Sequence, residues 1–283
     1  MAVEYLNEGA TSFAAANWAL VNGTAGSGVV DGAELVCSAG GANVTAGLSY
    51  VTASIAFLKL AERFSGNIGT SSTPLVLDAD ATDTEWSSSA ATSSRIEHYG
   101  PGTLFITAGA GSTKVSNFFQ FGVGRSVFVN GTFANVQVKQ GTLQCEAAAT
   151  ITKADLFGGS ATISTNASAG TTLNIHGGSH TVQRPFTTIN VYGGTLNVNV
   201  FYAQAASSIN IYGGTVNLIG HGSTAITAIT QYGGFLDMTA LRVDTTITTY
   251  TRYANARVSG KPMGAAITVT NDVRKDPTIQ AFS

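Results

Sequence analysis

The sequence predicts an all-β protein folded as a β-solenoid, that is, a parallel β-helix. One short phrase containing two adjacent glycines recurs five times between Leu156 and Met238, and the glycine pairs follow each other at intervals of 19, 16, 20 and 20 residues. Apolar and polar residues alternate on both sides of most pairs, as in two half-buried strands joined by a tight turn. Such a period is too short for a propeller blade and suits coils of about 16–20 residues.

The glycine pairs mark the corners of the predicted coils, because glycine adopts positive φ without the steric cost of a Cβ atom. These turn glycines are Gly158, Gly159, Gly177, Gly178, Gly193, Gly194, Gly213, Gly214, Gly233 and Gly234.

Equivalent side chains of successive coils are expected to stack. Two inward columns are predicted, namely Ile175, Val191, Ile211 and Leu173, Ile189, Ile209, Ile229. The residue before each glycine pair is an aromatic or a histidine, which predicts a second ladder at the corner. Its members are Phe157, His176, Tyr192, Tyr212 and Tyr232.

Four segments follow from this pattern. Residues 1–28 hold one tryptophan, Trp18, among small residues and are predicted to form an extended N-terminal arm that is mobile in the free protein. Residues 29–100 are predicted to be an irregular β region, and 101–253 the β-solenoid proper. The repeat stops after Tyr253, so 254–283 is predicted to be an extended C-terminal cap or tail that covers an open sheet edge.

Composition limits the functions available. Only 11% of the residues are charged and the formal net charge is −2, so no basic stripe favours nucleic acid. The two cysteines, Cys37 and Cys145, form no metal-ligand motif and are expected to be buried apolar residues. No Sec-type signal or apolar transmembrane run is evident, so we expect synthesis in the cytoplasm and no membrane partner. No cofactor is predicted.

The sequence contains few candidate catalytic residues. Glycoside hydrolysis needs two carboxylates across the scissile bond. Asp237 and Asp244 could lie on adjacent strands, but nothing suitable flanks them, and surface or turn roles are favoured. The densest acidic cluster, in the polar tract Asp78–Ser94, lacks EF-hand spacing and is expected to be a surface loop. Its members are Asp78, Asp80, Asp83 and Glu85. The sequence therefore predicts no enzyme.

The histidines raise the alternative of a metal site. His176 and His180 flank one Gly-Gly turn and could bind a metal at a trimer axis. The favoured interpretation is that His176 takes the place of tyrosine in the ladder, so no metal site is predicted. The remaining two histidines, His98 and His221, fit no catalytic spacing.

The chain resembles a group of tailed-bacteriophage structural proteins in its phrase Phe64-Ser65-Gly66-Asn67-Ile68-Gly69, followed by Pro74-Leu75 and a run of aromatic-Gly-Gly-Thr coils. The resemblance covers roughly residues 16 to 240, and bacterial adhesins share such coils. It implies a virion protein without a catalytic motif: a head decoration protein, a head fibre or a tail appendage.

Two functions remain open. The first is a capsid decoration protein on the virion surface, with itself, as a homotrimer, and the major capsid protein as partners. The second is a tail fibre, spike or adhesin that binds a host glycan. Trp18 and Trp86 lie outside the regular coils, which counts mildly against sugar binding.

Overall fold

The computed structural model describes residues 3–20, 24–26, 33–50, 55–77, 95–108, 115–164, 170–184, 186–199, 208–219, 224–241, 244–259 and 267–275. Several features predicted from the sequence lie outside these residues: the tract Asp78–Ser94 with its acidic cluster, Trp86, and His221. The chain divides into two compact units, Met1–Ala154 and Asp155–Ser283.

The described residues confirm the predicted fold class, an all-β parallel β-solenoid, with about nine turns. Each coil places one strand before a corner and one after it, and each of these strands pairs in parallel with its counterpart in the neighbouring coil. We call the strands before the corners the A series and those after them the B series. The one helical element among the described residues is a short 3-10 turn, Ala15–Asn17.

In the second unit both series are regular. The A series contains β13 (Gly170–Ile175), β15 (Phe186–Val191), β17 (Ser208–Ile211), β19 (Thr224–Gln231), β21 (Thr245–Tyr253) and β23 (Ile267–Lys275), each parallel to the next. The B series contains β12 (Ser160–Ile163), β14 (Ser179–Val182), β16 (Thr195–Asn199), β18 (Thr215–Ile219), β20 (Phe235–Asp237) and β22 (Arg257–Ser259).

Strand pairing sets the predicted inward columns in register. Ile175 pairs with Val191 and Val191 with Ile211, while the second column runs from Leu173 to Ile229. These side chains are at most 1% exposed. Burying a side chain of this size contributes roughly 1.5–3 kcal/mol, so the columns provide much of the stability of each coil.

The first unit uses the same scheme with less regular corners. Its A series contains β1 (Val3–Leu6), β3 (Ala33–Gly40), β5 (Ile55–Phe64), β7 (Arg95–His98) and β9 (Val115–Gln120). Its B series contains β4 (Ser49–Tyr50), β6 (Leu75–Leu77) and β8 (Thr103–Ala108). β10 (Arg125–Val138) belongs to both series, pairing first with β8 and then with β9. β11 (Thr142–Leu156) is likewise long.

Irregular coils were expected from about residue 30, and β3, β5 and β7 do pair in the solenoid pattern before residue 101. The structure moves the other boundary, because β22 and β23 continue the solenoid after residue 253. The sequence did not reveal this last coil because its corner lacks an aromatic-Gly-Gly phrase.

The described part of segment 1–28 differs from the predicted arm. β1 is paired on both edges, in parallel with β3 and antiparallel with β2 (Trp18–Leu20). Phe13 and Trp18 are buried and meet edge to face with ring centroids 5.2 Å apart. The segment gains partners from outside itself, because β3 pairs with β1 and the backbone N–H of Phe13 donates to the carbonyl of Ala46 at 3.1 Å.

Candidate functional site

The most prominent outer feature of the second unit is a stack of six rings along the corners, which we call the ring ladder. Successive centroids are 4.5 to 4.9 Å apart and the planes lie within 22° of parallel. The ring ladder comprises Phe157, His176, Tyr192, Tyr212, Tyr232 and Tyr253. The sequence pattern identified five of these rings. Tyr253 was missed because Ala254 and Asn255 follow it instead of two glycines.

The rings present their edges to solvent. Tyr192, Tyr212 and Tyr232 are 46%, 43% and 40% exposed, although neighbouring rings cover their faces. Burial by the neighbouring rings, together with the phenols of Tyr232 and Tyr192, raises the pKa of Tyr212. The outward groups are therefore phenol edges and hydroxyls at the spacing of the coils. A flat ligand finds no open ring face between them.

A hydrogen-bonded ladder of amides runs beside the rings. Asn210 Nδ2 donates to Asn190 Oδ1 at 2.9 Å, Asn190 Nδ2 donates to Asn174 Oδ1 at 2.9 Å, and Asn174 Nδ2 donates to Asp155 Oδ1 at 2.6 Å. Each asparagine lies two residues before a ring, so both groups point outward from the A series. The signal was visible in the sequence, as asparagine or aspartate two residues before the ring in four phrases, but was not used.

A second amide contact lies on the other side of the corners. Asn217 Nδ2 donates to Asn197 Oδ1 at 2.8 Å in the B series. The amides thus bond to one another along the stacking direction, which ties neighbouring coils together.

The two candidate carboxylates lie in different strand series. Asp237 ends β20 of the B series, and its Oδ1 accepts hydrogen bonds from the backbone N and the Oγ1 of Thr239 at 2.8 and 2.7 Å. Asp244 is exposed just before β21 of the A series. The expectation of adjacent strands is wrong because β20 pairs with β18 and β22.

The two histidines at the Gly177-Gly178 corner point in different directions. His176 is exposed between the rings of Phe157 and Tyr192. His180 is buried, and its Nε2 donates to the carbonyl of Gly177 at 2.6 Å. Burial lowers the pKa of His180, opposed by that hydrogen bond. Among the described residues no group of three His, Cys, Asp or Glu side chains could hold a metal ion.

Buried polar side chains support the corners from inside. In the first unit, Gln120 Nε2 donates to the carbonyls of Gly122 and Gly124, both at 3.0 Å. Ser126 Oγ donates to Gln120 Oε1, and Nδ1 of His98 lies 2.9 Å from Ser126 Oγ. Burial lowers the pKa of His98 to about 4, and hydrogen bonds to Gln120 and the corner carbonyls offset only part of that effect.

Ser126 and His98 could in principle act as a nucleophile and a base, but both residues are 0% exposed and no substrate reaches them.

A buried glutamine supports the corners of the second unit in the same way. Gln231 Nε2 donates to the carbonyls of Gly234 and Arg257 at 3.2 and 2.9 Å. Gln231 Oε1 accepts from the hydroxyl of Tyr250 at 2.6 Å. These groups satisfy carbonyls that the tight corners turn inward. Sequence patterns gave no signal for this role beyond polar residues at inward positions.

Both cysteines are buried, as the sequence predicted, and burial raises the pKa of the Cys37 thiol. No helix in the described residues is long and apolar enough to span a membrane.

Comparisons with known proteins return nothing: no family model, curated protein or solved structure matches the chain.

Proposed function

We propose that this protein is a non-enzymatic structural component of a bacteriophage virion, namely a capsid decoration protein. The observation that supports the proposal is the direction of the outer hydrogen bonds in the second unit. Amides and rings contact their counterparts in the next coil and do not converge on a cleft. A surface arranged in this way stiffens a shaft.

The resemblance of the coils to phage structural proteins supplies the biological setting. A decoration protein needs a rigid part that projects from the capsid and a segment that grips it. The terminal coils are suited to gripping because solenoid ends carry the strand edges.

The copy number in purified virions tests this proposal. A decoration protein is present in hundreds of copies and binds undecorated capsids, which quantitative mass spectrometry and co-sedimentation measure. Absence from the particle, or failure to bind capsids, contradicts the proposal. A handful of copies per particle favours a tail location.

A host-glycan receptor function in a tail fibre, spike or adhesin is the alternative. One observation favours it, since the exposed tyrosines of the ring ladder lie beside asparagines that each retain one amide N–H outside the ladder bond. Covered ring faces count against it. A glycan array tests this function. Binding by the unaltered protein that is weakened in Tyr192→Ala and Tyr212→Ala would favour the receptor function over decoration.

The absence of enzymatic activity is itself testable. We expect no release of reducing ends or unsaturated sugars from host capsular or lipopolysaccharide fractions. Turnover that Asp237→Asn or Asp244→Asn abolishes would contradict this part of the proposal.

Self-association as a homotrimer is also proposed. The outer faces carry few charges, and burying apolar surface contributes about 25 cal/mol per Å². Closed symmetry limits open-ended assembly. Light scattering at micromolar concentration gives the subunit number directly.

A further inference from the structure

The last described strand of the second unit, β23, has one edge that no other described strand pairs with. β23 pairs in parallel with β21 along one edge, from Ile267 to Lys275, and no described strand pairs with its other edge. None of its nine residues is buried, whereas the other described A-series strands of this unit bury alternate side chains. An unpaired edge of this length is a template for another strand.

The inward positions of β23 change character along the strand. Ile267 and Val269 are in register with the buried Thr245 and Ile247, yet they remain partly exposed because no described coil covers them. Beyond them, Asp272 is in register with Tyr250, and Arg274 with Arg252. A strand that continues the coil therefore meets apolar positions first and charged positions last.

The charged end is predominantly basic. From β21 through β23 the described residues carry four cationic side chains and one carboxylate, namely Arg252, Arg257, Arg274, Lys275 and Asp272. Asp272 lies 3.4 Å from Arg252 and 3.7 Å from Arg274, and the side chain of Arg274 is 71% exposed. Within the described residues, one carboxylate leaves most of this cationic charge without a partner of opposite sign, which favours a negatively charged neighbour.

The acidic first strand of another copy is not available as that neighbour. The first 58 residues of the chain are acidic, with Glu4, Glu8, Asp31 and Glu34 and no lysine or arginine. The first described strand in that stretch, β1, is already paired on both edges.

We propose that the open edge of β23 is the attachment surface of this protein, and that it takes an extended acidic segment of the partner as an added parallel strand. Such a segment has apolar residues opposite Ile267 and Val269 and carboxylates opposite Arg274 and Lys275. Backbone hydrogen bonds supply affinity, and the side-chain pattern supplies selectivity. This inference adds an attachment surface to the proposed function. That the partner is a capsid protein rests on the proposed function.

Synthetic peptides test the chemistry without the capsid. The probe is a capped nine-residue peptide with isoleucine at positions one and three and glutamate at positions eight and nine. Two control peptides carry lysine in place of glutamate, or proline at alternate positions so that an edge cannot pair. We expect the glutamate peptide to bind at least about tenfold more tightly than either control. It should also slow hydrogen exchange in β23.

Protein variants locate the site. Arg274→Glu should weaken binding of the glutamate peptide about tenfold or more without changing the melting temperature, because the side chain is exposed. Arg63→Glu is the matched control, since it makes the same charge change at an exposed position in the other unit and should leave binding unchanged.

Three outcomes overturn the inference. Equal binding of all peptides shows that no acidic strand docks. Hydrogen exchange in β23 is also measured without peptide. If it is slow there and becomes fast when residues 276–283 are deleted, the chain's own tail occupies the edge. Self-association that Arg274→Glu abolishes assigns it to a second copy.

The capsid assay separates this inference from the proposed function. Loss of capsid binding in Arg274→Glu, with binding retained in Arg63→Glu, supports both. Full capsid binding by Arg274→Glu overturns the attachment surface alone. Failure of the unaltered protein to bind capsids contradicts the decoration function, while the peptide result still decides the acidic-strand chemistry.

Discussion

At the scale of single residues, the two glycines of each corner are required for different reasons. A Cβ atom at Gly213 would lie 2.6 Å from the carbonyl oxygen of Tyr192 in the preceding coil, although φ at Gly213 is not positive. At Gly214, φ is +71° and a Cβ atom would also meet the carbonyl oxygen of Gly194 at 2.5 Å. The sequence showed why a turn needs glycine, but the close approach between coils requires the structure.

Alanine substitutions separate these two effects. We expect Gly213→Ala to lower the free energy of unfolding by about 2–3 kcal/mol, because neighbouring backbones must move apart. Gly9→Ala is the control, since φ is +79° there and nothing lies within 4 Å of the added atom. It should cost about 1–2 kcal/mol. Urea denaturation measures both, and a smaller loss at Gly213 than at Gly9 contradicts the close-approach argument.

The buried His98 makes stability depend on pH. Its pKa falls from 6.5 to about 4 on folding, so the unfolded chain binds the proton more readily between these values. The stabilisation is complete above pH 6.5, decreases as the pH falls and is fully lost below about pH 4. Between pH 7 and pH 5 the loss from this residue is about 2 kcal/mol.

Unfolding free energies at pH 7 and pH 5 check this expectation. His98→Gln is the comparison, because Gln120 and Gln231 already support corners from equivalent inward positions. The variant should lose about 2 kcal/mol less between the two pH values than the unaltered protein. An identical loss in both proteins shows that other groups control the acid response.

At the scale of coils, regularity decided what the sequence could predict. From Leu156 to Met238 the spacing and alternation placed the columns and five of the stacked rings. In the first unit the corners are filled by Tyr99 and Phe121, which stack at 4.9 Å, but Gly100-Pro101-Gly102 and Gly122-Val123-Gly124 replace the adjacent glycine pair. Spacing alone does not identify such corners, because their backbones are held by buried partners such as Gln120.

Removing one coil in register tests the repeat. Deletion of Gly194–Gly213 joins Gly193 to Gly214. Val191 then pairs with Gln231, as Ile211 does in the unaltered chain, and every inward column stays continuous. We expect a folded protein with two strands fewer and a cooperative thermal transition. Deletion of Leu196–Val216 is the out-of-register control, because it removes one residue more and places Asn217 at the inward position of Leu196. It should lower the midpoint of that transition. A collapse of the circular dichroism β signal in the in-register variant contradicts the assignment.

At the scale of the whole chain, the two termini differ from what the sequence predicted in opposite ways. The predicted arm contributes paired strands and a buried aromatic contact, whereas the predicted tail contributes a regular strand, β23, whose free edge is exposed among the described residues. The composition of residues 1–28 suggested an arm, because composition shows which residues a segment contains but not which distant strands it pairs with. Pairing with β3 depends on residues distant in sequence.

Because Trp18 is 1% exposed and its Nε1 donates to the carbonyl of Phe13 at 3.1 Å, the N-terminal segment should stabilise the first unit. We expect Trp18→Ala to lower the free energy of unfolding by about 3–5 kcal/mol. Trp18→Phe keeps the ring contact with Phe13 and should cost less.

Deletion of residues 1–28 uncovers the edge of β3 and should promote association, visible as a larger mass by light scattering. If the deleted protein stays at its original subunit number and melts at the same temperature, the segment is a dispensable arm.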